Sequence, residues 1–455
     1  MWVRIVLALL IAAFPAVAKE DIKEREPGPR TKGSVYAWKG KNGLGYRHYI
    51  PKHFDPKKGA NLTLILHGSN LSAGWGFWNH KAGEFRADDV VVSPDGTTPN
   101  GRGGFNFLRS KKDTKRLHQL HVEIKKALNL TNTYVYGHSQ GSFFAFLYAG
   151  EYPKDVQGVV GHASGVWSGT QQGTRQHGQA VVLMHGTQDP VVPYFQSAYS
   201  YGGFVEKKYP HVRLRPLEGW NHWPAEHNGK TRHTSQQLAW VEGMTTTDAA
   251  RLAACLDMLT KVTGKDRHDY AGAYLLAQHI LSLEEAPPAL KKRSRKTVDA
   301  VQKLAEMHVK AIRAPDPKKL KFTRAPWVAH LPMFVRNFRG VPACDEFAKT
   351  WDGVLQAHRK AFDAQFDKFW QHKQRNPAKA FDAGVKGLQK GFLHHRGADR
   401  EFFLKQMQAW RKDAKNHKLS KKSLKAYDAL VPDFEKAQKD GARAFFGVNK
   451  KAPKL

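Results

Sequence analysis

A serine that attacks a carbonyl carbon needs three companions: an imidazole to take its proton, a carboxylate to orient that imidazole, and donors for the oxygen that turns negative. Candidates for all of them occur in one order along the chain. Gly137-His138-Ser139-Gln140-Gly141 is a G-x-S-x-G that follows the apolar run Thr133 to Tyr136 and opens an apolar helical stretch from Ser142. On a tight strand-to-helix turn the flanking glycines let strand and helix approach, and Ser139 is lifted out as the nucleophile. Asp189 follows in His185-Gly186-Thr187-Gln188-Asp189-Pro190-Val191-Val192-Pro193, in the loop leaving the run Ala180 to Met184. An Asp-Pro pair can also be a plain turn initiator, but its place after a strand favours the acid. His222, in Glu218-Gly219-Trp220-Asn221-His222-Trp223-Pro224, follows the next strand and is the natural base; His227 is the rival, further from the strand end. The run Leu62 to Leu66 ends in His67-Gly68-Ser69-Asn70. There the Gly68-Ser69 loop offers one backbone donor to an oxyanion, and Gln140, the residue after the serine, offers the other.

These residues fall at the ends of short β-branched runs, the clearest being 62–66, 90–93, 133–136, 159–161, 180–184 and 212–217, separated by helical patterns over 114–128, 142–151 and 195–207. Alternation of this kind predicts an α/β region with a mostly parallel central sheet flanked by helices, from about 34 to 245. Beyond 246 the strand signal ends and apolar residues recur at helical spacing, as in Phe362, Phe366, Phe369 and Trp370, or Phe403, Met407 and Trp410, with basic residues between. The segment 287–296, with its KKRSRK, and the Ala-Pro-Asp-Pro at 314–317 read as breaks between helices. The expected organisation is a leader over 1–18, a catalytic domain over 19–245 and a basic all-helical domain over 246–455.

Arg4 precedes the apolar run Ile5 to Phe14, and Ala16-Val17-Ala18 offers a small-x-small cleavage site. This pattern predicts a signal peptide cleaved near Ala18 and a secreted or periplasmic protein. Two cysteines, Cys255 and Cys344, exclude a disulfide-dense scaffold and a Cys-rich zinc module, and leave both a single disulfide and two buried thiols open. The net charge of +33 divides into +12 up to residue 245 (30 basic, 18 acidic) and +21 after it (43 basic, 22 acidic). Exported charge of this density suits an anionic polysaccharide, lipid headgroups or a cell-wall polymer better than intracellular nucleic acid, and a structural role for the helical half, packing on the catalytic domain or covering its cleft as a lid, stands open beside it. No metal or cofactor is expected: His118 and His121 have the i, i+3 spacing of a metal pair but lack a third ligand and read as a solvated helix face.

Aromatic residues gather near the same loops: Trp75, Phe77, Trp78, Trp167, Tyr194, Trp220 and Trp223. Of these, Trp75, Trp78, Trp220 and Trp223 are the candidates for a flat wall against a sugar or phenolic group. Gly101-Arg102-Gly103-Gly104 reads as a flexible rim, with Arg102 a contact for an acidic group.

Taken in order, HGSN, GHSQG, HGTQDPVVP and GWNHWP resemble the α/β-hydrolase superfamily, over roughly residues 34 to 240. Ser93-Pro94-Asp95-Gly96 and the Trp-Pro after His222 bring the chain nearer to secreted serine esterases of the feruloyl esterase and polyhydroxybutyrate depolymerase type. The resemblance implies acyl transfer to water through an acyl-serine, with Ser139, Asp189 and His222 as the triad. Trp220-Asn221 before the histidine, where small glycines are commoner, and the helical extension depart from the pattern and bear on the substrate. A serine peptidase on the same fold and a catalytically silent binding protein are the competing readings. As base, His222 works neutral, so activity should fall as pH drops through the ordinary imidazole range, near ~6.5.

Overall fold

The computed structural model describes residues 22–79, 86, 88–167, 178–223, 232–261, 269–313, 316, 320, 324–393 and 397–453. The expected leader, His227 and most of the 314–317 break lie outside them. The chain forms two compact units. The first takes in residues up to 185, 189–214 and 222–241; the second takes in 186–188, 215–221 and 242–455.

The first unit is built on strands β1 (Val35–Lys39), β2 (Gly45–Tyr49), β3 (Leu62–Leu66), β4 (Val90–Pro94), β7 (Thr133–His138), β8 (Gly158–His162), β9 (Ala180–Gly186) and β10 (His211–Leu217), in the sheet order β1-β2-β4-β3-β7-β8-β9-β10. Two short strands, β5 (Thr98–Pro99) and β6 (Phe105–Asn106), make a separate hairpin. β3, β4, β7, β8 and β9 pair in parallel, while β1 and β2 add an antiparallel edge. The central strands are buried along their whole length, as expected of parallel strands covered on both faces. The register sets Leu66 beside Gly137, Gly137 beside Gly161, and Gly161 beside Leu183. The loops leaving β3, β7, β8 and β9 therefore open at one edge, where ligands of open α/β sheets bind.

The helices of this unit are α1 (Gly74–Asn79), α2 (Lys111–Ala127), α3 (Gln140–Glu151), α4 (Phe195–Glu206) and α5 (His233–Gly243). The serine hydroxyl of Ser110 caps α2 by accepting from the Asp113 N–H. The inner face of α2 (Leu117, Leu120, Ile124) packs in the core with Phe144, Leu147 and Tyr148 of α3. The glycine-rich segment expected as a flexible rim is instead the turn of the β5–β6 hairpin. Asn100 Oδ1 accepts from Arg102 N (2.8 Å) and Gly104 N (3.0 Å), and the Arg102 side chain stays exposed.

Within the second unit run α6 (Ala249–Thr260), α7 (Tyr270–Ser282), α8 (Pro288–Ala311), α9 (Trp327–Asn337), α10 (Pro342–His372), α11 (Pro377–Lys390), α12 (Gly397–Lys412) and α13 (Lys421–Asn449). The KKRSRK segment is not a break. Pro288 occupies the first helical turn, where its missing N–H costs nothing, and α8 continues through the basic residues. Phe362, Phe369, Phe403, Met407 and Trp410 form a buried cluster, with Phe369 and Phe403 ring centroids 4.5 Å apart. Trp370 departs from the expected core set: it is 39% exposed, with Lys373 Nζ 4.9 Å above its ring. Cys255 and Cys344 are both buried and are not joined in a disulfide, and burial pushes the Cys344 thiol well up. No helix among the described residues is long and apolar enough to cross a membrane.

Candidate functional site

Ser139 stands at the join of β7 and α3 with φ 52° and ψ −120°, a left-handed conformation that glycine tolerates and serine does not adopt without strain. The glycines on either side explain how the turn closes. A Cβ at Gly141 would run into the carbonyl oxygens of Leu66 and His67, and one at Gly137 into that of Gly141. The Ser139 N–H donates to the His162 carbonyl at 2.9 Å, so the neighbouring strand holds the turn. Ser139 itself remains partly exposed, as a nucleophile requires.

Asp189 and His222 are brought together. Asp189 Oδ2 accepts from His222 Nδ1 at 2.7 Å, which leaves Nε2 as the free-facing nitrogen of a buried ring. Asp189 Oδ1 accepts the backbone N–H groups of Val191 (2.8 Å) and Val192 (2.9 Å), and Oδ2 also meets His185 Nε2 at 3.0 Å. Burial pushes the carboxyl up, yet the charges and hydrogen bonds of His222 and His185 outweigh it and hold the group well below the ordinary carboxylate range. The His222 carbonyl accepts from His138 Nε2 at 2.9 Å, and the two rings lie 4.9 Å apart. The residue preceding Ser139 thus grips the backbone of the histidine.

The Gly68-Ser69 loop also reaches this place: a Cβ on Gly68 would stand 3.5 Å from Ser139 Cβ. His67 fixes its orientation. Gly96 N–H donates to His67 Nε2 at 2.9 Å, so the ring proton is on Nδ1, which donates to the Gly68 carbonyl at 2.7 Å. Pinning that carbonyl sets the plane of the Gly68–Ser69 peptide, and with it the direction of the Ser69 N–H. Burial lowers His67 to about 4, against the opposing bond to Gly68, which keeps the ring neutral in this role. Among the described residues neither the Ser69 nor the Gln140 backbone N–H donates to a protein acceptor. The Gln140 side chain is spent elsewhere, its Oε1 accepting from Phe107 N at 3.0 Å. The Ser-Pro-Asp-Gly motif finds its use here: Gly96 sets the His67 tautomer, and Asp95 Oδ1 accepts from Ala73 N at 2.8 Å just before α1.

The aromatic candidates separate. Trp75 is partly exposed and stacks on His138 at 5.3 Å, and Trp223 is partly exposed and edge-on to His222 at 5.1 Å. Trp220 belongs to the second unit, and the Trp78 side chain lies outside the description. Tyr194 is buried against His185 (5.7 Å) and Trp167 stacks on Phe143 (5.7 Å). The buried Tyr194 belongs to no open wall, whereas Trp167 is partly exposed. The expectation of a solvated His118/His121 face also fails: His121 is buried, with Nδ1 2.6 Å from Tyr148 Oη and Nε2 2.8 Å from Thr133 Oγ1, while His118 stacks on Tyr152. No group of three metal-ligating side chains occurs among the described residues.

Two histidines, His138 and His185, were not among the residues singled out from the sequence. His185 lies four residues before Asp189, a position that could have flagged it. In the second unit, Glu218 receives a two-pronged bond from Arg336, Nε to Oε1 at 2.8 Å and Nη2 to Oε2 at 2.7 Å, with Asn337 Nδ2 also on Oε1 at 2.9 Å. Thr187 and Gly219 join there through a 3.0 Å bond from Gly219 N to Thr187 Oγ1.

A family model described as the alpha/beta hydrolase fold matches residues 109–178. Over 128 residues the chain is 28% identical to a 1-acylglycerol-3-phosphate O-acyltransferase of Arabidopsis thaliana, covering 28% of this chain and 31% of that protein. Over 107 residues it is 28% identical to a probable 1-acylglycerol-3-phosphate O-acyltransferase of Oryza sativa subsp. japonica, covering 24% and 26%. The chain thus spans less than a third of the length of these relatives. Among solved structures, it is similar to Est1E from Butyrivibrio proteoclasticus with bound ferulic acid (18% identity, TM-score 0.31, 40% of this chain and 88% of that one). It is also similar to the Bacillus cereus carboxylesterase (19% identity, TM-score 0.36, 44% and 94%). Sheet order, the serine turn and the matched family model agree on an alpha/beta hydrolase fold followed by a helical region.

Proposed function

We propose that this chain of alpha/beta hydrolase fold is a serine hydrolase that cleaves carboxylic esters through an acyl-serine. The observation that carries the reading is the 2.7 Å bond between His222 Nδ1 and Asp189 Oδ2, with His138, the residue before the strained, partly exposed Ser139, bonded to the His222 carbonyl at 2.9 Å. In this reading Ser139 Oγ attacks the ester carbonyl while His222 Nε2 takes its proton, and the Ser69 and Gln140 N–H groups receive the oxyanion. The proton then passes from His222 to the departing alcohol. Water, deprotonated by the same ring, releases the acid from Ser139. Trp75 and Trp223 suit an aromatic or sugar-bearing ester.

The test is hydrolysis of short p-nitrophenyl acyl esters, feruloyl esters, acetylated polysaccharide and a peptide series by the wild type and Ser139→Ala. Serine-dependent turnover of esters is expected; equal rates in the variant would remove the assignment, and turnover of peptides alone would move it to a peptidase. Because two relatives are named as acyltransferases, the assay is repeated with an alcohol acceptor. New ester in place of free acid would move the reading to acyl transfer. Export, expected from residues 1–18, belongs to the proposal and is checked by the mass of the mature chain.

For the helical unit we propose capture of an acidic polysaccharide at the turn between α12 and α13. Lys412, Lys415, Lys418, Lys421, Lys422 and Lys425 are all exposed there. Arg411 and Asp428 neutralise each other at 2.8 Å. None of the exposed large apolar side chains lies in this segment, so insertion into a bilayer is not favoured.

A further inference from the structure

His222 is held at two atoms. Its ring Nδ1 donates to Asp189 Oδ2 at 2.7 Å, and its backbone carbonyl accepts from His138 Nε2 at 2.9 Å. Among the described residues it makes no backbone-to-backbone hydrogen bond. The reaction proposed above gives the first bond a use and the second none. One bond at the ring lets the imidazole swing about that contact; a second at the backbone removes the freedom. A carbonyl only accepts, so the donor is the His138 N–H.

His138 is itself immobilised. It ends β7 directly beside His162 of β8, so the two rings lie on one face of the sheet. Trp75 stacks on the His138 ring at 5.3 Å with 21° between the planes. His162 meets it nearly edge-on, also at 5.3 Å, and His162 Nδ1 is in turn 2.9 Å from Tyr136 Oη. A Cβ on Gly68 would stand 3.2 Å from His138 Nδ1, so the glycine of the oxyanion loop leaves the ring its room. One buried side chain thus adjoins the oxyanion loop, precedes the nucleophile and bonds the base. A ring packed on several sides has little rotamer freedom to lose, which is what an anchor requires.

We propose that His138 is a positioning residue for the base: it ties the backbone of His222 to the turn that carries Ser139, so that nucleophile and base keep one relative placement. The proposal rests on the Ser139, Asp189 and His222 reading. In that reaction His222 Nε2 takes the proton of Ser139, gives it to the departing alcohol and then takes one from water. Each transfer needs Nε2 within hydrogen-bond reach of a different oxygen, so the ring has to turn slightly about a backbone that does not move. Asp189 limits the turn and His138 fixes the pivot. An anchor of this kind acts on the proton transfers and not on substrate contacts, so its loss belongs in kcat and not in KM.

The test is steady-state hydrolysis of a short p-nitrophenyl ester by the full chain and its His138 variants. His138→Phe keeps a ring to stack on Trp75 and removes the donor; kcat should fall by about 10²-fold, with KM within about twofold of the wild type. His138→Gln brings an N–H back to roughly the reach of Nε2 and should restore kcat to within about tenfold of the wild type. His138→Asn carries the same amide one methylene short of the carbonyl and should stay near the Phe variant. If the Phe variant fails to fold, the Gln and Asn variants decide by themselves, since both keep a polar group at the site. Equal kcat in Gln and Asn, an unchanged kcat in Phe, or a loss confined to KM overturns the role of His138 while the rate still depends on Ser139. A rate that survives Ser139→Ala instead overturns the triad reading, and the role of His138 with it.

Discussion

Arg336 and Glu218 form a nearly buried, two-pronged ion pair within the second unit, at 2.8 and 2.7 Å, although 118 residues separate them in the chain. Glu218 is four residues before His222, on a segment whose neighbours Thr187 and Gly219 are bonded to each other and whose Trp220 carbonyl accepts from Gln188 N at 2.9 Å. The residues leading into Asp189 and into His222 are therefore tied together at one carboxylate.

Removing one partner of such a pair leaves an uncompensated buried charge, which costs about 3–5 kcal/mol. Arg336→Ala should lower stability by that order in urea unfolding and reduce kcat for esters. The double variant Glu218→Gln, Arg336→Met removes both charges and should recover most of the stability. Loss in the double variant equal to that of the single one would show that the pair does not carry the effect.

The strain at Ser139 predicts a difference between two inactive variants. At φ 52° and ψ −120° a β-carbon is unfavourable by on the order of 1–3 kcal/mol, and glycine escapes this at the expense of a more flexible unfolded chain. Ser139→Gly should therefore be more stable than Ser139→Ala by about 1 kcal/mol in denaturant unfolding. Equal stability would mean that the turn relaxes in the protein.

Asp189 accepts four hydrogen bonds and touches two imidazoles, so its replacement tests orientation rather than packing. Asp189→Asn keeps the shape but offers an amide N–H to one ring, favouring the wrong tautomer of His222. Turnover should fall by about 10⁴-fold while the fold persists by circular dichroism. A loss of less than tenfold would send the search to another carboxylate.

Much of this arrangement was legible because buried parallel strands are continuous apolar runs, and the loops at their ends carry polar residues in fixed order. β3 coincides with the run at 62–66, and α4 with the helical pattern at 195–207 to within a residue. The β1–β2 edge was not resolved as separate strands because Val35 to Lys39 is only half-buried and mixes polar with aromatic residues. The start of α8 reads as a break because five of its first nine residues are basic, whereas its inward positions, Leu290, Ser294, Thr297, Val298 and Val301, keep helical spacing. The roles of His138 and His185 depend on the register of β7, β8 and β9 and on side chains that meet only after folding. The four-residue step from His185 to Asp189 is the one local signal, and nothing comparable announces His138.

The helical unit should be acid-sensitive through one histidine pair. His308 Nε2 donates to Asn449 Oδ1 at 2.8 Å, so its Nδ1 accepts from His330 Nε2, also at 2.8 Å, and both rings are neutral and buried. Burial pushes His308 down to about 3, helped by His330 and opposed by Asn449, and pushes His330 down to about 4. The unfolded chain takes up these protons near ~6.5 and the folded one does not, so this stability is present above ~6.5 and is lost as pH falls toward the folded values. The loss should be on the order of 3 kcal/mol or more between neutral pH and pH ~4 in urea unfolding of the full chain. His330→Gln, which keeps a donor for His308 without titrating, should flatten the dependence; an unchanged slope would place the sensitivity elsewhere.

The lysine turn makes a prediction that separates capture from chemistry. Exposed ammonium groups act on a polyanion through a field that salt screens over about 8 Å at physiological ionic strength, whereas a small neutral ester reaches Ser139 without their help. Replacing Lys418, Lys421, Lys422 and Lys425 with glutamine should leave kcat/KM for a p-nitrophenyl ester within about twofold, because surface substitutions of this kind rarely disturb a fold. The same variant should lose most of its retention on an immobilised uronic-acid polysaccharide, and the wild type should lose it in high salt. Retention unchanged by the four substitutions would remove the turn as the docking surface, and stronger retention on nucleic acid or on anionic vesicles than on the polysaccharide would reassign the partner.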